Sequence, residues 1–501
     1  MVVLEQPTKD LTTMEQFTNF FGDVSHSINN WVLLYVLIGL GIYFTVFTKG
    51  VQFRYFGRMF KAMATSRTNK GQSLSSFQAF TVGLASRVGT GNIAGVALAL
   101  IWGGPGALFW MWVIALIGMA TSFMESTLAQ MYKVPWGDRI YRGGPAYYIE
   151  RGLGSRLWGV IFAILLVFSY GLIFPMIQAN TIATQFKAEL GISEWGTAVV
   201  LVLISIPIIL RGLRVVARVT ELLVPFMAVV YLIIATVIVL MNLTSLPGVL
   251  GDIFAGAFGI RAGLAGTAGG LFATFSNGAV RGLFSNEAGQ GSMPNGAATA
   301  DVRHPVVQGF VQAFGTFVDT ILVCSATGFM ILLAGPSVYQ PGQEYDDGIL
   351  TQSALTFHLE GQDVHWTVAF MTLVVFLFCY SSVLGYSVFA EININYLKWG
   401  ALGIWGLRIL MILAVGVGAI IALELAWNLA DIALAVMTIV NMIAMGLLAK
   451  NGFLCLKDYD RQRQQGIAEP IFISAEVDLP HPIPESVWTR EHSEATQSQQ
   501  G

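Results

Sequence analysis

The residues Gly83-Leu-Ala-Ser-Arg-Val-Gly89-Thr-Gly91-Asn92-Ile-Ala-Gly95 form the centre of an apolar segment that runs from about 78 to 101. Each glycine costs a helix interior about 1 kcal/mol relative to alanine, so this cluster argues against an uninterrupted helix. Asn92 adds an amide to apolar surroundings, where a polar group without a partner is costly. The stretch therefore predicts a long apolar helix that loses its winding near its centre.

Apolar segments of this length recur along the whole chain, which has 501 residues, 55% of them hydrophobic and 11% charged. A soluble domain carries about 25% charged residues. Segments of about 20 apolar residues cross a hydrocarbon core roughly 30 Å thick, and they do so as helices because lipid offers the backbone no hydrogen-bond partner. We predict an all-α integral membrane protein of about eleven transmembrane helices. Their approximate bounds are 31–48, 78–101, 106–131, 157–184, 196–210, 217–242, 265–284, 306–334, 366–392, 402–422 and 426–448.

Lysines and arginines collect in the loops on one side of these spans. Of the 27 basic residues, only Lys9, Lys187, Arg261 and Arg87 fall elsewhere, and Arg281 is counted with the basic loops. The positive-inside rule predicts that the basic side faces the cytoplasm, with the amino terminus outside and the carboxyl terminus inside. We therefore expect a multi-pass protein of the cytoplasmic (inner) membrane, with lipid as its surroundings. A net charge of −3 gives no reason to expect a nucleic-acid partner.

A second glycine-rich cluster lies in the seventh span, five spans after the first. It contains Gly266, Gly269 and Gly270, then Phe275-Ser276-Asn277-Gly278, then Gly282. Close packing of small residues between helices is the alternative explanation for either cluster. Spans an odd number apart cross in opposite directions, and interrupted helices at matching places in two inverted halves mark a transporter binding site. We therefore predict a second broken helix at 275–278.

Broken helices expose groups that suit a zwitterion and a cation. The amino end of a half-helix presents free N–H groups and a partial positive charge, which favour a carboxylate. Unwound carbonyls and nearby hydroxyls present oxygen to an ammonium group or a sodium ion.

The two predicted breaks divide the chain into segments. We predict an external tail (1–30), an extra first helix (31–48), two inverted repeats (78–242 and 265–448) and a cytoplasmic polar tail (451–501). This proline-bearing tail is predicted to be mobile.

Several longer motifs resemble the alanine or glycine:cation symporter family of the amino acid–polyamine–cation superfamily. They are Val88-Gly-Thr-Gly-Asn92-Ile-Ala-Gly-Val-Ala, Gly103-Gly-Pro-Gly-Ala-Leu-Phe-Trp-Met-Trp112, Glu125-Ser-Thr-Leu-Ala-Gln130, Gly143-Gly-Pro-Ala-Tyr-Tyr148 and Arg281-Gly-Leu-Phe-Ser-Asn-Glu-Ala-Gly289. The resemblance runs in order from about residue 30 to 450. It implies a leucine-transporter-like five-plus-five inverted repeat preceded by one extra helix. It also implies sodium-coupled uptake of a small neutral amino acid, alanine or glycine, including D-alanine in some members.

The resemblance also assigns residues to the two breaks and to two further helices. The substrate-binding candidates are Gly89, Thr90, Gly91, Asn92, Gln178, Phe275, Ser276, Asn277 and Gly278, with Phe174 as an aromatic candidate for a lid over the pocket. The candidates for the Na⁺ site are the carbonyls of Ala85 and Val88 and the hydroxyls of Ser381 and Ser382. Many relatives have a tryptophan where this chain has Tyr386, a difference that changes the volume of the pocket.

Three charged residues are candidates for gating or ion pairing. Arg87 is the only basic residue well inside a span, where a charge is a functional candidate by default. It could gate the site or attract substrate, or it could form a structural pair with Asp319 or Glu125. Asp319 could also bind an ion or relay protons. Glu287, in the glycine-rich stretch 285–292, could latch the inner gate or simply bond backbone N–H groups of a tight turn.

Three other functions remain as alternatives to a sodium symporter. A proton-coupled amino acid symporter would use the same fold with a titrating carboxylate. A passive facilitator or channel would need no coupling ion. A membrane enzyme is the least favoured, because the spans contain no histidine–carboxylate cluster or activated nucleophile and the glycine clusters resemble no phosphate-binding loop. The sequence therefore predicts a transporter and not an enzyme, with Na⁺ as the expected ion.

Overall fold

Long apolar helices make up almost the whole of the computed structural model. The structure describes residues 20, 22, 27–28, 33–65, 74–136, 140–259, 268–341, 343, 347–359, 364–421, 424–484 and 487–491. Within these residues the strands are limited to a hairpin, in which β1 (Val134–Pro135) pairs antiparallel with β2 (Tyr141–Arg142). The all-α prediction is confirmed.

The described residues of the first half form twelve named helices between 34 and 257. Their bounds are α1 Leu34–Phe47, α2 Val51–Arg54, α3 Phe56–Thr65, α4 Ser76–Arg87, α5 Val96–Gly103, α6 Gly106–Met131, α7 Pro145–Leu153, α8 Arg156–Phe168, α9 Phe174–Leu190, α10 Glu194–Ile209, α11 Leu213–Met241 and α12 Leu246–Ala257. The π-helical turn Gly91–Gly95 leads into α5, and a second π-helical turn, Ser169–Ile173, joins α8 to α9.

The described residues of the second half likewise form long helices separated by shorter ones. Its helices are α13 Ala268–Asn286, α14 Met293–Ala298, α15 Pro305–Thr316, α16 Ser325–Leu333, α17 Asp347–His358, α18 Val364–Tyr396, α19 Gly400–Gly418 and α20 Glu424–Gln464. A third π-helical turn, Phe317–Cys324, joins α15 to α16. Short 3₁₀ turns lie at Gly335–Ser337 and Ser474–Glu476.

Every one of the eleven predicted spans overlaps a helix in the part of the chain that the structure describes. Seven helical stretches there are long and apolar enough to cross a membrane, and the bent pair formed by Ser76–Arg87 and Gly91–Gly103 makes an eighth. Three further apolar helices, α1, α10 and α12, are shorter. The count of eleven crossings stays a prediction.

The first predicted break is present. Helix α4 ends at Arg87, and the helix that resumes at Gly91 is bent from it by 58°. Helix α4 starts beside Ala300, to which Leu74 is bridged, and the chain then runs away from that face through α5. The glycine and asparagine pattern therefore predicted the right position for this break.

The second predicted break, at 275–278, is wrong, because α13 winds without interruption from 268 to 286. Asn277 Nδ2 donates a hydrogen bond to Ala273 O of the same helix at 2.9 Å, so the amide has a partner without any break. A Cβ on Gly278 would lie 2.4 Å from Ala107 O, so this glycine lets α13 approach α6. The alternative of close helix packing is the correct explanation for this cluster.

The winding is lost instead at 287–292, between α13 and α14. Glu287, Gly289 and Gly291 there adopt φ values of 52°, 86° and 84°, which a right-handed helix does not allow and which suit glycine at two of the three positions. Since α14 is followed by Ala300 on the face where α4 starts, α13 and α14 run opposite to α4 and α5. The inverted relation of the two broken helices is therefore preserved with the break about ten residues later.

This shift moves Arg281 to the opposite half of the molecule from the basic loops. Arg281 lies on α13 before the break, and its guanidinium is 5.1 Å from the ring centroid of Trp102 at the far end of α5. Its assignment to the cytoplasmic loops is corrected accordingly, because the predicted span had ended too early.

Several of the other predicted basic loops share one face, to which the carboxyl-terminal segment is docked. We define the basic face as the described parts of 49–65, 132–156, 299–305 and 451–491. Across it, Arg54 pairs with Asp460 at 3.1 Å, and Tyr132 donates to His481 O at 2.9 Å. The location of these segments on one face agrees with the prediction, made from the positions of lysine and arginine, that these loops lie on the same side.

The prediction of a mobile tail is wrong for the described part of 451–491. Helix α20 continues to Gln464, and both Phe472 and Trp488 are buried. Trp488 Nε1 donates to Gln130 O at 2.9 Å, and its ring packs at 80° to that of Phe472. Side chains distant in sequence therefore hold a segment whose local composition is typical of disorder.

Candidate functional site

The break after α4 is held open by Asn92. Its Oδ1 accepts a hydrogen bond from the Gly89 N–H at 2.9 Å, so the amide replaces a backbone partner that the unwound turn lacks. Its Nδ2 donates to Asp319 Oδ1 at 2.7 Å and to Ser285 Oγ at 3.1 Å. Asn92 is fully buried and does not line the central cavity. Its contacts therefore position the break.

Asp319 lies in the π-helical turn between α15 and α16, and three side chains donate to its carboxylate. Besides Asn92, these are Ser285 Oγ at 2.9 Å and Thr320 Oγ1 at 2.7 Å, both on Oδ2. A carboxylate with these charge-assisted bonds is satisfied without a cationic partner. It connects the first break, the end of α13 and the π-helical turn.

Arg87, the last residue of α4, does not form the predicted ion pairs. Its guanidinium donates to Gln312 O at 3.1 Å and to Ser122 Oγ at 3.0 Å. Within the described chain no carboxylate lies within 4.0 Å of it, and Asp319, Glu287 and Glu125 act on its charge only from longer range. Arg87 therefore ties α4 to α6 and α15 while its charge balances buried carboxylates.

A small cavity lies between the two breaks. Its lining residues are Ser86, Arg87, Gly89, Thr90, Gly91, Tyr170, Phe174, Ile177, Gln178, Phe284, Glu287, Gln290, Tyr386, Trp427 and Leu434. The predicted residues Gly89, Thr90, Gly91, Phe174, Gln178 and Glu287 meet in this space. The predicted residues Phe275, Ser276, Asn277 and Gly278 are not among the lining residues, because α13 is intact where they lie.

One wall of the cavity is aromatic. The ring of Tyr170 lies edge-on to Phe174 and to Tyr386, with centroids 5.0 and 5.1 Å apart. The π-helical turn Ser169–Ile173 directs Tyr170 into the space, and such turns are frequent at functional sites. Nothing in the sequence singled out Tyr170, since an aromatic residue in a span is usually packing.

A cluster of oxygen atoms lies on the other side of the first break. Ser382 Oγ is 3.1 Å from Ala85 O, 3.4 Å from Val88 O and 3.1 Å from Phe378 O. Its single proton cannot serve three carbonyls at once, whereas a cation would bind carbonyl and hydroxyl oxygens together. Three of the four residues predicted for sodium, Ala85, Val88 and Ser382, are thus in contact.

Ser381 is not part of this cluster. Its hydroxyl donates to Phe378 O at 2.9 Å and lies 3.6 Å from Met227 Sδ on α11. Neighbouring residues of a helix point about 100° apart, so Ser381 and Ser382 address different partners. In this arrangement the hydroxyl from α18 comes from Ser382 alone.

The break, the cavity and the carbonyl–hydroxyl cluster together form the arrangement that the motifs implied. The sequence profile of the "Sodium:alanine symporter family" matches residues 14–474. The chain belongs to the sodium:alanine symporter family. This is a family of transporters and not of enzymes, as the sequence predicted.

Relatives within the sodium:alanine symporter family cover most of the chain. The "Amino-acid carrier protein AlsT" of Bacillus subtilis (strain 168) is 45% identical over 461 residues, 92% of this chain and 96% of the relative. The "Sodium/alanine symporter AgcS" of Methanococcus maripaludis is 37% identical over 441 residues, 86% of this chain and 95% of the relative.

Solved structures identify the fold. The crystal structure of MhsT in complex with L-phenylalanine has a TM-score of 0.52 at 13% sequence identity, over 78% of this chain and 93% of that one. A mutant of a manganese transporter from Eremococcus coleocola has a TM-score of 0.52 at 14% identity, over 79% of this chain and 81% of that one. The leucine-transporter-like fold is therefore confirmed.

Proposed function

We propose that this protein couples inward movement of sodium to uptake of a small neutral amino acid, alanine or glycine, by alternating access. The observation that carries the proposal is the unwound segment Val88–Gly89–Thr90. It meets the central cavity on one side and the hydroxyl of Ser382 on the other. One segment can thus contact the amino acid and the ion at the same time.

The substrate carboxylate binds at the start of the second half-helix. The N–H groups of its first turn have no partner within the helix and carry a partial positive charge. Thr90 and Gly91 bring this end of the helix to the cavity wall. The aromatic wall of Tyr170, Phe174 and Tyr386 limits the volume for the substrate side chain, which favours a hydrogen or a methyl group.

Sodium binds to Ala85 O, Val88 O and Ser382 Oγ. Ala85 lies in the last turn of α4 and Val88 directly follows the helix, so both carbonyls lack helical partners and are available to an ion. Binding there fixes the unwound segment, and the amino acid then docks on a segment already in place. Substrate binding is stronger with sodium for this reason, and the coupling is reciprocal.

The basic face is cytoplasmic in this proposal, because loops rich in lysine and arginine remain on that side of a bacterial-type membrane. The sodium gradient and the membrane potential then drive uptake. One elementary charge gains about 2.3 kcal/mol per 100 mV.

The test is uptake of labelled alanine into proteoliposomes that contain the purified protein. With an inward sodium gradient, uptake should saturate and exceed the level reached at equilibrium. Replacement of sodium by choline at constant pH should abolish this accumulation. Accumulation driven by a proton gradient alone would establish proton coupling, and uptake without accumulation under any gradient would establish a passive facilitator. Competition by glycine, L-alanine, D-alanine, serine and proline defines the substrate.

A further inference from the structure

We propose that Glu287 Oε1 and Gln178 Oε1 form the ammonium subsite of the cavity, so that Glu287 selects amino acids over their hydroxy or deamino analogues. The inference rests on the proposed function and specifies how the substrate is oriented. It assigns substrate contact to the second break through a residue that lies nine positions after the last residue of the predicted cluster 275–278.

Glu287 is placed by a strained turn at the cavity wall. Its φ of 52° lies in the left-handed region, which a non-glycine residue rarely adopts because of steric strain. Asn286 supports the turn by accepting the Ala288 N–H at 3.0 Å, and Gln290 donates its N–H to Glu287 O at 3.2 Å. Such strain persists where the surroundings fix the residue, and here they direct a carboxylate into the cavity.

The two oxygens of the Glu287 carboxylate have different surroundings. Ser86 Oγ and Ser292 Oγ both lie against Oε2, at 3.2 and 2.6 Å. Among the described side chains, both donors to this carboxylate therefore bind Oε2. Because Glu287 lines the cavity, Oε1 is the oxygen available to a ligand.

Gln178 supplies a second acceptor on the same cavity. Its Nε2 faces Thr90 Oγ1 at 3.5 Å and Tyr386 OH at 3.4 Å, and these contacts fix the orientation of the amide. Its Oε1 is buried without a hydrogen-bond partner in the described structure. A buried acceptor without a donor destabilises the empty site, and a bound ammonium group supplies the missing donor.

These two acceptors complement the donors at the first break. An α-amino acid carries its ammonium and carboxylate on one carbon, so the groups that bind them must meet across one small cavity. Thr90 and Gly91 present the helix amino end, whereas Glu287 and Gln178 present oxygen. A hydroxy acid offers these oxygens a neutral O–H donor in place of an ammonium charge, which is the basis of its rejection.

The experiment is a comparison of substrate analogues in wild type and in Glu287→Gln. Inhibition of labelled alanine uptake by unlabelled alanine, lactate and propionate gives the preference for the amino group. A charge-assisted hydrogen bond contributes about 1.5–3 kcal/mol, which corresponds to a ten- to hundredfold preference. We expect the ratio of lactate to alanine inhibition constants to fall by that factor in Glu287→Gln, mainly through weaker alanine binding.

Two further variants separate substrate contact from support of the turn. Ser86→Ala removes a group on Oε2 and should keep the preference for alanine, although uptake slows. Glu150→Gln removes a surface carboxylate paired with Arg156. This variant should match wild type both in its preference for alanine and in its rate of uptake.

If Glu287→Gln still takes up alanine and its ratio of lactate to alanine inhibition constants is unchanged, the assignment of Glu287 is overturned. The proposed function would not be affected by this result. If Glu287→Gln is inactive, binding of alanine and lactate to the purified variant, followed as a rise in its unfolding temperature, gives the same ratio. Absence of alanine binding and uptake by wild type would instead contradict the proposed function.

Discussion

Ser86 Oγ lies 3.2 Å from Glu287 Oε2 and so joins the two broken helices across the central cavity. Ser86 belongs to the last turn of α4, and Glu287 opens the turn between α13 and α14. The two breaks are consequently linked by side chains as well as by a shared cavity. A ligand that moves one break must act on the other, as alternating access requires.

The hydroxyl of Ser382 is expected to determine sodium affinity. Ser382→Ala removes an oxygen that lies beside Ala85 O and Val88 O. Loss of one such interaction costs about 1–1.5 kcal/mol, so the sodium concentration for half-maximal alanine uptake should rise about tenfold. Ser381→Ala is the matched control, because that hydroxyl is bonded to Phe378 O and faces Met227. Equal sodium dependence in the two variants would contradict the assignment.

Gly89 leaves no space for a side chain at the first break. A Cβ there would lie 2.5 Å from Ser382 Oγ, whereas a Cβ on Gly95 would meet nothing within 4 Å. Overpacking of this kind costs about 1–3 kcal/mol. We expect Gly89→Ala to lower initial alanine uptake at least tenfold and Gly95→Ala to change it less than twofold, after correction for protein in the membrane. Normal uptake by Gly89→Ala would show that the segment is not rigid.

The buried ammonium of Lys133 should make stability depend on pH. Lys133 follows α6 on the basic face, donates to Ala300 O at 3.0 Å and lies over the rings of Tyr141 and Trp488. Burial lowers the pKa of Lys133 to about 7. The lysine of the unfolded chain stays protonated to about pH 10, so between these values the unfolded state binds more protons and stability rises with pH.

The comparison with Lys133→Met isolates this effect. The unfolding temperatures of both proteins in detergent would be measured from pH 7 to about pH 9.5, a range set by the two pKa values. The difference, wild type minus variant, should increase across the range, because only wild type loses the cost of a buried charge. Parallel curves would mean that Lys133 is not buried as a charged group near neutral pH.

Trp488 should contribute strongly to the stability of the basic face. It is 1% exposed and bonded to Gln130 O, whereas Trp158 on α8 is 51% exposed. Truncation of a buried tryptophan costs about 3–5 kcal/mol. Trp488→Ala should therefore lower the unfolding temperature and speed proteolysis of the carboxyl-terminal segment, whereas Trp158→Ala should do neither. A Trp488→Ala protein with wild-type stability would show that the tail is only loosely attached in solution.

Local sequence patterns predicted the helices and the first break because the causes are local. Apolar length alone sets membrane crossing, and clustered glycines next to Asn92 weaken a helix wherever it packs. The residues predicted for the ion, Ala85, Val88, Ser381 and Ser382, followed from the resemblance to the family, and the structure brings all but Ser381 together. The contacts of the other three agree with that expectation, although the bound ion stays a prediction.

The second break was misplaced because glycine serves two purposes that the sequence does not distinguish. Gly278 faces Ala107 on α6, whereas Gly289 and Gly291 adopt positive φ. The stretch 285–292 did indicate a tight turn, but it was assigned to the end of a span. The docking of Trp488 was unpredictable for a related reason, since its partners lie more than 350 residues earlier in the chain, at Gln130 and Lys133.

The position of Trp488 also has a consequence for biogenesis. Residues 130–133 are synthesised more than 350 residues before the ring that covers them. Until residue 488 has been synthesised, Lys133 lacks one of its two aromatic neighbours, the ring of Trp488. Completion of this face therefore requires that translation has passed residue 488, and a copy terminated before that residue would leave the Lys133 side chain uncovered on one side.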